Sequence, residues 1–424
     1  MTAVLLISFF VLIIIGAPIA IALGGSSFLT LLSADMSYVM MPYNIYSSVA
    51  KFLLLAIPFF VLAGNIMDQV GISHKLVNLA RVLVAHKRGG MAIVCVGVSC
   101  FFAAISGSGP ATVAALGMII IPAMVHVGYS EGTSSALMAT AGSIGLIIPP
   151  SISYILYSSI TGVSTGKLFI AGIIPGLLMG LALVIATMLV TKKEKLEVLP
   201  KSTRKERWDA FKDSIWGLLM PVIILGGIYG GIFTATEAAA VSAVYGLIVG
   251  AFIYKSLNLK TLYTIFRKTV QQTGAIMLTV AMAGLFSYVV TIAGISAKII
   301  DGLKSFTAGN PFLFLMIANV ILLIAGCFID GNSGFYIFTP LLYPVASALG
   351  YDAIAFGIVM TMNLAIGLVT PPVGLNLYVA SGVSRTPLRE TVRCVWPFVI
   401  ASVAVLLLIT YCPVLSTWLP SLMK

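Results

Sequence analysis

Charged side chains are scarce in this 424-residue sequence, and their scarcity excludes a soluble protein. Asp, Glu, Lys and Arg together supply 9% of the residues, whereas hydrophobic residues supply 60%. The mean hydropathy of +1.11 is far above that of soluble domains, which need charge on their surfaces. The sequence therefore predicts a polytopic membrane protein.

Histidine and cysteine are also few, and their placement excludes most catalytic and metal chemistry. The three histidines form no cluster with ligand spacing, and the five cysteines show no paired spacing. Neither a Ser/His/Asp or Cys/His constellation nor a Walker or GxGxxG nucleotide motif is present. The sequence does not predict an enzyme. A membrane-embedded enzyme or an ATP-driven permease subunit is the disfavoured alternative.

The sequence contains long runs without any charged residue. Residues 89–130, 132–166, 269–297 and 353–384 contain no Asp, Glu, Lys or Arg. Each run exceeds the roughly 20 residues that a membrane-spanning helix needs, and several are long enough to cross and return. The segment Met1 to Leu32 lacks a basic n-region, so we predict one retained membrane span there.

The net charge of +11 indicates membrane topology and not nucleic-acid binding, because the basic residues gather in short loops. The loop at 191–213 holds eight Lys and Arg residues, which places it in the cytoplasm. We predict two spans after it, Ile215 to Phe233 and Ala238 to Tyr254, because basic residues follow at 255–268.

Two distant peptides, "GSIGLIIPPS" at 142–151 and "LAIGLVTPPV" at 364–373, are nearly identical. The offset that relates Pro149 to Pro371 also relates Pro122 to Pro344 and Gly128 to Gly350. A constant register over so many positions predicts an internal duplication, roughly 51–176 and 271–398.

The distribution of basic residues predicts that the two copies have opposite orientations. The basic positions that decide this are Arg81, Lys87 and Arg88 before the first uncharged run, and Arg385, Arg389 and Arg393 after the second double proline. Equivalent points of the copies then lie on opposite sides of the membrane. Inverted repeats are typical of secondary transporters. The N-terminus is predicted in the cytoplasm and the C-terminus in the periplasm.

Each copy contains two predicted helix interruptions. "AISGSGPATVAALG" at 104–117 predicts a re-entrant hairpin that breaks at Ser106 to Pro110, and "CFIDGNSGFYIFTP" at 327–340 is its counterpart. The double prolines remove N–H donors and leave carbonyls of the preceding turn unpaired. Such carbonyls, with serine hydroxyls, suit sodium, and the half-helix N-termini suit an anion. The plainer alternative is a proline kink satisfied by neighbouring helices.

Two acidic residues stand apart from the loops. Asp330 lies at the break of the second hairpin, where an intramembrane carboxylate is costly and therefore functional by default. A structural hydrogen-bonding role is the alternative. Thr234 and Glu237 have capping-box spacing before an alanine-rich segment, which predicts a helix start.

The motifs in combination resemble the large membrane subunit of tripartite ATP-independent periplasmic (TRAP) transporters, of the DctM/SiaM type. The similarity covers nearly the whole chain through "IPFFVLAGNIM", "SGSGPATVAALG", "GLIIPPSI", "LFIAGIIPG", "GGIFTATEAAAVSA" and "GLVTPPVGLNLYV". The resemblance implies a sodium-coupled importer in the bacterial inner membrane that works as an elevator. It further implies a periplasmic substrate-binding protein and a small membrane subunit, here a separate polypeptide because no fused subunit precedes the first span.

The resemblance also implies site residues. The first sodium site would use Ser106, Ser108, Gly145, Ile148 and Pro150, and the second would use Gly326, Gly367, Thr370 and Val373. Substrate would lie near Ser108, Ser151, Asp330 and Asn332. At least two sodium ions and an organic anion are expected, with sialic acid and C4-dicarboxylates as the leading candidates. A stand-alone sodium/anion symporter without a binding protein is the runner-up.

The predicted fold is an all-α polytopic membrane protein of two inverted repeats, with re-entrant hairpins and proline-broken helices in a scaffold and a transport part. Residues 1–88, 167–310 and 386–424 are predicted to supply the scaffold helices and the C-terminal span. Residues 89–166 and 311–385 are predicted to form the two halves of the transport part.

Overall fold

The structure, a computed structural model, describes residues 1–307 and 309–423 and consists there of helices and connecting segments without a strand. The first ten helices are α1 Thr2–Ile14, α2 Ile19–Ser33, α3 Met40–Val49, α4 Ala56–Gln69, α5 Ile72–Val84, α6 Gly90–Ser106, α7 Gly109–His126, α8 Glu131–Ser143, α9 Ile152–Thr161 and α10 Thr165–Ala171. The others are α11 Ile173–Val190, α12 Arg204–Tyr229, α13 Ala235–Ile248, α14 Leu259–Ile292, α15 Ile295–Thr307, α16 Pro311–Gly326, α17 Gly331–Ala348, α18 Ala353–Gly367, α19 Leu375–Ser384, α20 Leu388–Tyr411 and α21 Val414–Ser421.

Within the described residues, seven helical stretches are long and apolar enough to cross a membrane. They are Phe52–Gln69, Gly109–His126, Thr165–Val190, Arg204–Tyr229, Ala235–Ile253, Leu259–Ile292 and Leu388–Tyr411. Shorter apolar helices, including α6, α16 and α18, lie between them. The prediction of an all-α, multi-pass membrane protein is confirmed.

The single span predicted for Met1 to Leu32 is wrong. The segment forms two helices, α1 and α2, which pack against each other. Gly16 has a φ of +87°, a conformation that other residues rarely adopt, and Pro18 caps the start of α2. These two residues end one helix and begin the next.

Two capping boxes fix the starts of the consecutive helices α12 and α13. The predicted box at α13 is confirmed, since the Glu237 backbone N–H donates to Thr234 Oγ1 and the Thr234 backbone N–H donates to Glu237 Oε2. Thr203 and Glu206 form the same reciprocal pair at α12, which begins about three turns before the predicted span at Ile215. Each box satisfies two N–H groups that a helix start leaves unpaired.

Helix bounds recur at the offset found in the sequence. Helix α7 spans 109–126 and α17 spans 331–348, so both ends shift by the same amount as the double prolines. Helices α8 and α18 begin at 131 and 353, which have the same separation. Their relative orientation in the membrane stays a prediction.

The most buried helices are α8 and α18, which lead into the two double prolines. All residues of α8 from Gly132 to Ser143, and all of α18 from Ala355 to Gly367, are buried. A helix buried on every side needs no polar face, and small residues permit close packing. Helix α20 packs against both.

The helix that follows each double proline packs against the other copy of the repeat. Helix α19, from the second copy, packs against α7 and α8 of the first, and α9 packs against α17 of the second. Each hairpin therefore depends on the other copy for part of its support. Helix α4 packs against both α13 and α14, and α5 packs against α6 and α12. The division into scaffold and transport parts stays a prediction.

Candidate functional site

The tip of the first hairpin gathers three oxygen atoms. Helix α6 ends at Ser106 and α7 begins at Gly109, so the break lies where the sequence predicts it. Ser106 Oγ lies 2.9 Å from Thr112 Oγ1, and Thr112 Oγ1 donates to the Ser108 carbonyl at 2.8 Å. Thr112 is fully buried. Two hydroxyls and one carbonyl therefore converge at a single helix break.

The first broken helix brings its backbone against this tip. A Cβ on Gly145 would lie 3.2 Å from the Ser108 carbonyl oxygen and 3.2 Å from Thr112 Oγ1. The carbonyl oxygen of Pro150 lies close to Gly107, since a Cβ there would be 3.1 Å away. Gly107 has a φ of +59°, which favours glycine at this turn. The structure thus brings Ser108, Gly145 and Pro150 together.

The double proline leaves carbonyls that other groups must satisfy. Pro149 and Pro150 lack the N–H groups that would bond the carbonyls of Gly145 and Leu146 in a continuous helix. Ser151 Oγ donates to the Leu146 carbonyl at 2.6 Å. The hydroxyl of Tyr154 donates to the next carbonyl, that of Ile147, at 2.7 Å. The carbonyls of Leu146 and Ile147 therefore already accept hydrogen bonds from protein hydroxyls. The predicted ligands Gly145 and Ile148 lie on either side of them in the chain.

The second hairpin meets its broken helix through two glycines. A Cβ on Gly367 would lie 2.4 Å from Gly326 Cα and 2.8 Å from the Gly326 carbonyl oxygen, so neither position leaves space for a side chain. The Thr370 backbone N–H donates to the Gly367 carbonyl at 3.0 Å. Val373 is 38% exposed. Gly326, Gly367 and Thr370 are therefore adjacent, and Val373 lies farther along the same segment.

Asp330 caps the start of α17. Its carboxylate accepts hydrogen bonds from the backbone N–H groups of Asn332 and Ser333 and from the Ser333 hydroxyl. Ser108 occupies the equivalent position before α7 in the first copy. The structural hydrogen-bonding role that the sequence offered as the alternative for Asp330 is present in the form of a helix cap, and Asp330 also lines a cavity.

Two cavities adjoin the hairpin tips. The larger has a volume of 280 Å³ and is lined by Val61, Gly64, Asn65, Asp68, Phe102, Ser106, Ser108, Ala111, Ala115, Ile152, Gln272, Ala275, Ile276 and Asn332. The smaller, of 140 Å³, lies between the tips and is lined by residues 107–110 and 330–332 with Leu146, Leu368 and Leu375. Of the predicted substrate residues, Ser108 and Asn332 line both and Asp330 lines the smaller. Ser151 is fully buried and lines neither.

Comparison with known proteins identifies the family. Residues 6–415 match the model of the tripartite ATP-independent periplasmic transporter, DctM component. The chain belongs to the DctM family of TRAP transporter large permeases. The resemblance that the sequence motifs indicated is confirmed, and so is the prediction that the chain is a transport protein of the inner membrane and not an enzyme.

Named relatives cover nearly the whole DctM-family chain. The C4-dicarboxylate TRAP transporter large permease protein DctM of Pseudomonas aeruginosa is 41% identical over 95% of this chain and 94% of its own. The sialic acid TRAP transporter large permease protein SiaM of Vibrio cholerae is 36% identical over 88% and 87%. The isethionate TRAP transporter permease protein DctMQ of Oleidesulfovibrio alaskensis is 42% identical over 96% of this chain and 64% of its own.

A solved structure shares the fold of this DctM-family chain. The YdaH transporter of Alcanivorax borkumensis aligns with a TM-score of 0.61 over 90% of this chain and 87% of its own, at 15% identity. Identity this low supports a common architecture and nothing further about function.

Four polar residues of this permease were not singled out from the sequence. Thr112 belongs to the first hairpin tip, and the amides of Asn65 and Gln272 face the larger cavity from α4 and α14, 2.9 Å apart. Asn376 is fully buried on α19, donates to the Ala139 carbonyl of the other copy at 3.1 Å and has an unpaired Oδ1. Asn65, Gln272 and Asn376 could have been found from the sequence, because each is an amide inside an apolar run and polar groups are costly in a membrane.

Proposed function

We propose that this permease imports a small organic anion together with sodium, with a C4-dicarboxylate as the first candidate and sialic acid as the second. The anion would be delivered by a periplasmic binding protein, and a small membrane subunit would be present as a separate chain. At least two sodium ions would move with each substrate.

The observation that carries the proposal is the convergence of oxygen atoms at the first hairpin tip. Ser106 Oγ, the Ser108 carbonyl and Thr112 Oγ1 lie within hydrogen-bonding distance of one another, and the Gly145 backbone packs against them. Backbone carbonyls released by broken helices, with hydroxyls, are typical ligands of coupling sodium ions. These residues fit a hard cation, and Ile148 and Pro150 would complete the donor set.

A second sodium ion would use the equivalent region of the other copy. Gly326 and Gly367 are in backbone contact, and a Cβ on Gly374 would lie 3.2 Å from the Thr370 carbonyl oxygen. Pro371 removes the N–H that would otherwise bond the Gly367 carbonyl. The donors would be carbonyls of Gly326, Gly367, Thr370 and Val373.

The substrate would be held by helix N-termini and by the bound cations. Among the described residues, those lining the two cavities include no Lys or Arg. The first turns of α7 and α17, at Gly109 and Gly331, both line the smaller cavity. Helix N-termini present free N–H groups and the positive end of the helix dipole, which bind carboxylates. At α17 the Asp330 carboxylate already accepts from the N–H groups of Asn332 and Ser333, so the uncapped N-terminus is that of α7, where the Ser108 side chain makes no capping bond. An anion therefore has partners here without a cationic side chain.

The size of the larger cavity favours a small anion. Ligand pockets usually measure about 300 to 1,000 Å³, and the 280 Å³ here is just below that range. The relatives named for isethionate, at 42% identity, and for C4-dicarboxylate, at 41%, are also more similar than the one named for sialic acid, at 36%. Both points favour a small anion such as a C4-dicarboxylate over sialic acid.

We propose an elevator mechanism for the movement. The exchange of α9 and α19 between the copies joins both hairpins into one packed unit, and the larger cavity is lined by the first tip on one side and by α4 and α14 on the other. A unit joined in this way would move as one body and carry both tips together. Cavity residues from α4 and α14, such as Asn65 and Gln272, would remain with the static part.

Uptake into proteoliposomes tests the proposed function. Vesicles holding this chain and its small subunit would receive labelled succinate or sialic acid, with and without an inward sodium gradient and a loaded binding protein. We expect succinate uptake that requires both. Sodium-driven uptake without the binding protein would favour the stand-alone symporter, and uptake without sodium dependence would contradict both sodium sites.

A further inference from the structure

An open groove of 810 Å³ lies between α5 and the N-terminal half of α12, away from the hairpin tips. Its lining residues are Leu79, Leu83, Arg204, Lys205, Arg207, Trp208, Phe211 and Leu218. The groove is at the end of α12 that follows the basic loop, which the distribution of charge places in the cytoplasm. None of the residues assigned to transport lines it.

The charged residues of the groove all carry the same sign. Arg204, Lys205 and Arg207 line it, and the described lining includes no Asp or Glu. Glu206 and Asp209, from the same turns of α12, line a separate depression instead. An anion in the groove would therefore meet three cations and no carboxylate.

Arg207 is a cation whose guanidinium group is only partly satisfied. Its Nε and Nη2 atoms are buried and make no hydrogen bond. Desolvation lowers the pKa of His86 from its ordinary value, and the positive charges of Arg207, Lys201 and Lys87 lower it further. Arg207, Lys201 and Lys87 therefore all lie near His86. Buried guanidinium nitrogens without acceptors are costly, so the Arg207 side chain would gain acceptors by turning toward a phosphate in the groove.

The remainder of the groove is apolar and aromatic. Leu83 is 45% exposed and Trp208 is 56% exposed, although both are large and apolar. Trp208 stacks on Phe211 with ring centroids 5.8 Å apart. Tryptophan favours the headgroup level of a membrane, where its ring faces acyl chains and its N–H faces water. A soluble anion would make no favourable contact with these apolar side chains, whereas the acyl chain of a lipid would be buried against them.

We propose that this groove binds an anionic phospholipid of the cytoplasmic leaflet. The phosphate lies against Arg207 with Arg204 and Lys205 around it, and an acyl chain follows the apolar wall of Leu83 and Phe211. Basic pockets between membrane helices on the cytoplasmic side are suited to acidic lipid headgroups. The lipid contacts both α5, which leads to the first hairpin, and α12.

Native mass spectrometry of the purified chain tests the charge requirement. Phosphatidylglycerol and phosphatidylcholine would be titrated against the wild type, Arg207→Gln and the double variant Arg204→Gln/Lys205→Gln. We expect preferential binding of phosphatidylglycerol, weakened about fivefold for each basic residue removed. Arg267→Gln is the matched control, because Arg267 is an exposed cation outside the groove. Equal phosphatidylglycerol binding by all variants would overturn the proposal.

Fluorescence quenching tests the location. Phosphatidylglycerol brominated near the glycerol end of its acyl chain should quench the wild-type fluorescence more than brominated phosphatidylcholine does, and Trp208→Phe should remove that excess, because the other exposed tryptophans, Trp216, Trp396 and Trp418, report on bulk lipid. Displacement of the lipid by millimolar inorganic phosphate would make the groove a site for soluble anions. A change in Trp208 emission with the small subunit but not with brominated lipid would assign it to a protein partner. Either result would overturn the proposal.

Discussion

Ser106 Oγ and Thr112 Oγ1 lie 2.9 Å apart across the tip of the first hairpin. Ser106 is the last residue of α6 and Thr112 lies in the first turn of α7, so the contact closes the helix break. Because Thr112 Oγ1 also donates to the Ser108 carbonyl, one hydroxyl orients two of the proposed sodium ligands. Thr112 belongs with the proposed sodium site although its side chain was not predicted there.

Thr112→Val should weaken sodium activation. The substitution keeps the shape of the side chain and removes its hydroxyl, which costs roughly one hydrogen bond, or about 1 kcal/mol. We expect the half-saturating sodium concentration for uptake to rise about fivefold. Thr140→Val is the control, since Thr140 is equally buried and bonds only within α8, to the Ala136 carbonyl. An equal rise in both variants would show a general packing effect instead.

Gly145→Ala should impair the same site by crowding. The new Cβ would lie 3.2 Å from the Ser108 carbonyl oxygen and from Thr112 Oγ1, which is tighter than ordinary contact. Displacing those oxygens should raise the half-saturating sodium concentration while the protein still folds. Gly97→Ala, on the neighbouring helix α6, meets no atom within 4 Å and should behave as wild type. Normal sodium activation of Gly145→Ala would remove Gly145 from the site.

Features set by backbone chemistry could be predicted from the sequence. The repeated double proline indicated two broken helices, because proline supplies no N–H to the helix. The spacing of Thr234 and Glu237 indicated a helix start for an equally local reason. Both are present in the structure. The break between α1 and α2 also has a local cause in the sequence, Gly16 followed by Pro18. The prediction of a single span missed it because the whole segment is continuously hydrophobic.

Features set by contacts between distant segments could not be predicted. Asn376 and Ala139 lie in different copies, yet the Asn376 amide bonds the Ala139 carbonyl, because α19 packs into the other copy. The family resemblance implied that Ser151 lies near the substrate. In the structure its hydroxyl donates to the Leu146 carbonyl inside the protein. Which backbone carbonyls stay unpaired at a helix break depends on which side-chain hydroxyls donate to them in the folded protein.

Gly367→Ala should destabilise the second broken helix. Its Cβ would lie 2.4 Å from Gly326 Cα, and backbone atoms cannot move aside as a flexible side chain can. Overpacking of this kind costs about 1 to 3 kcal/mol, so the thermal unfolding midpoint in detergent should fall. Gly382→Ala, on α19, meets nothing within 4 Å and should leave the midpoint unchanged. Equal midpoints for the two variants would contradict the close crossing of α16 and α18.

Asp330→Asn should separate the capping role of this residue from its charge. Asparagine caps helices about as well as aspartate, so α17 should still begin at Gly331 and the unfolding midpoint should change little. The lost charge should reduce uptake at least about tenfold, because an intramembrane carboxylate beside the hairpin tips is functional by default.

Asp352→Asn is the matched control for that experiment. Asp352 caps α18 in the same way, by accepting from the backbone N–H groups of Ile354 and Ala355 at 2.9 Å, but it lines neither cavity. Its substitution should leave both uptake and stability near wild type. Wild-type uptake by a folded Asp330→Asn protein would mean that Asp330, like Asp352, only caps a helix.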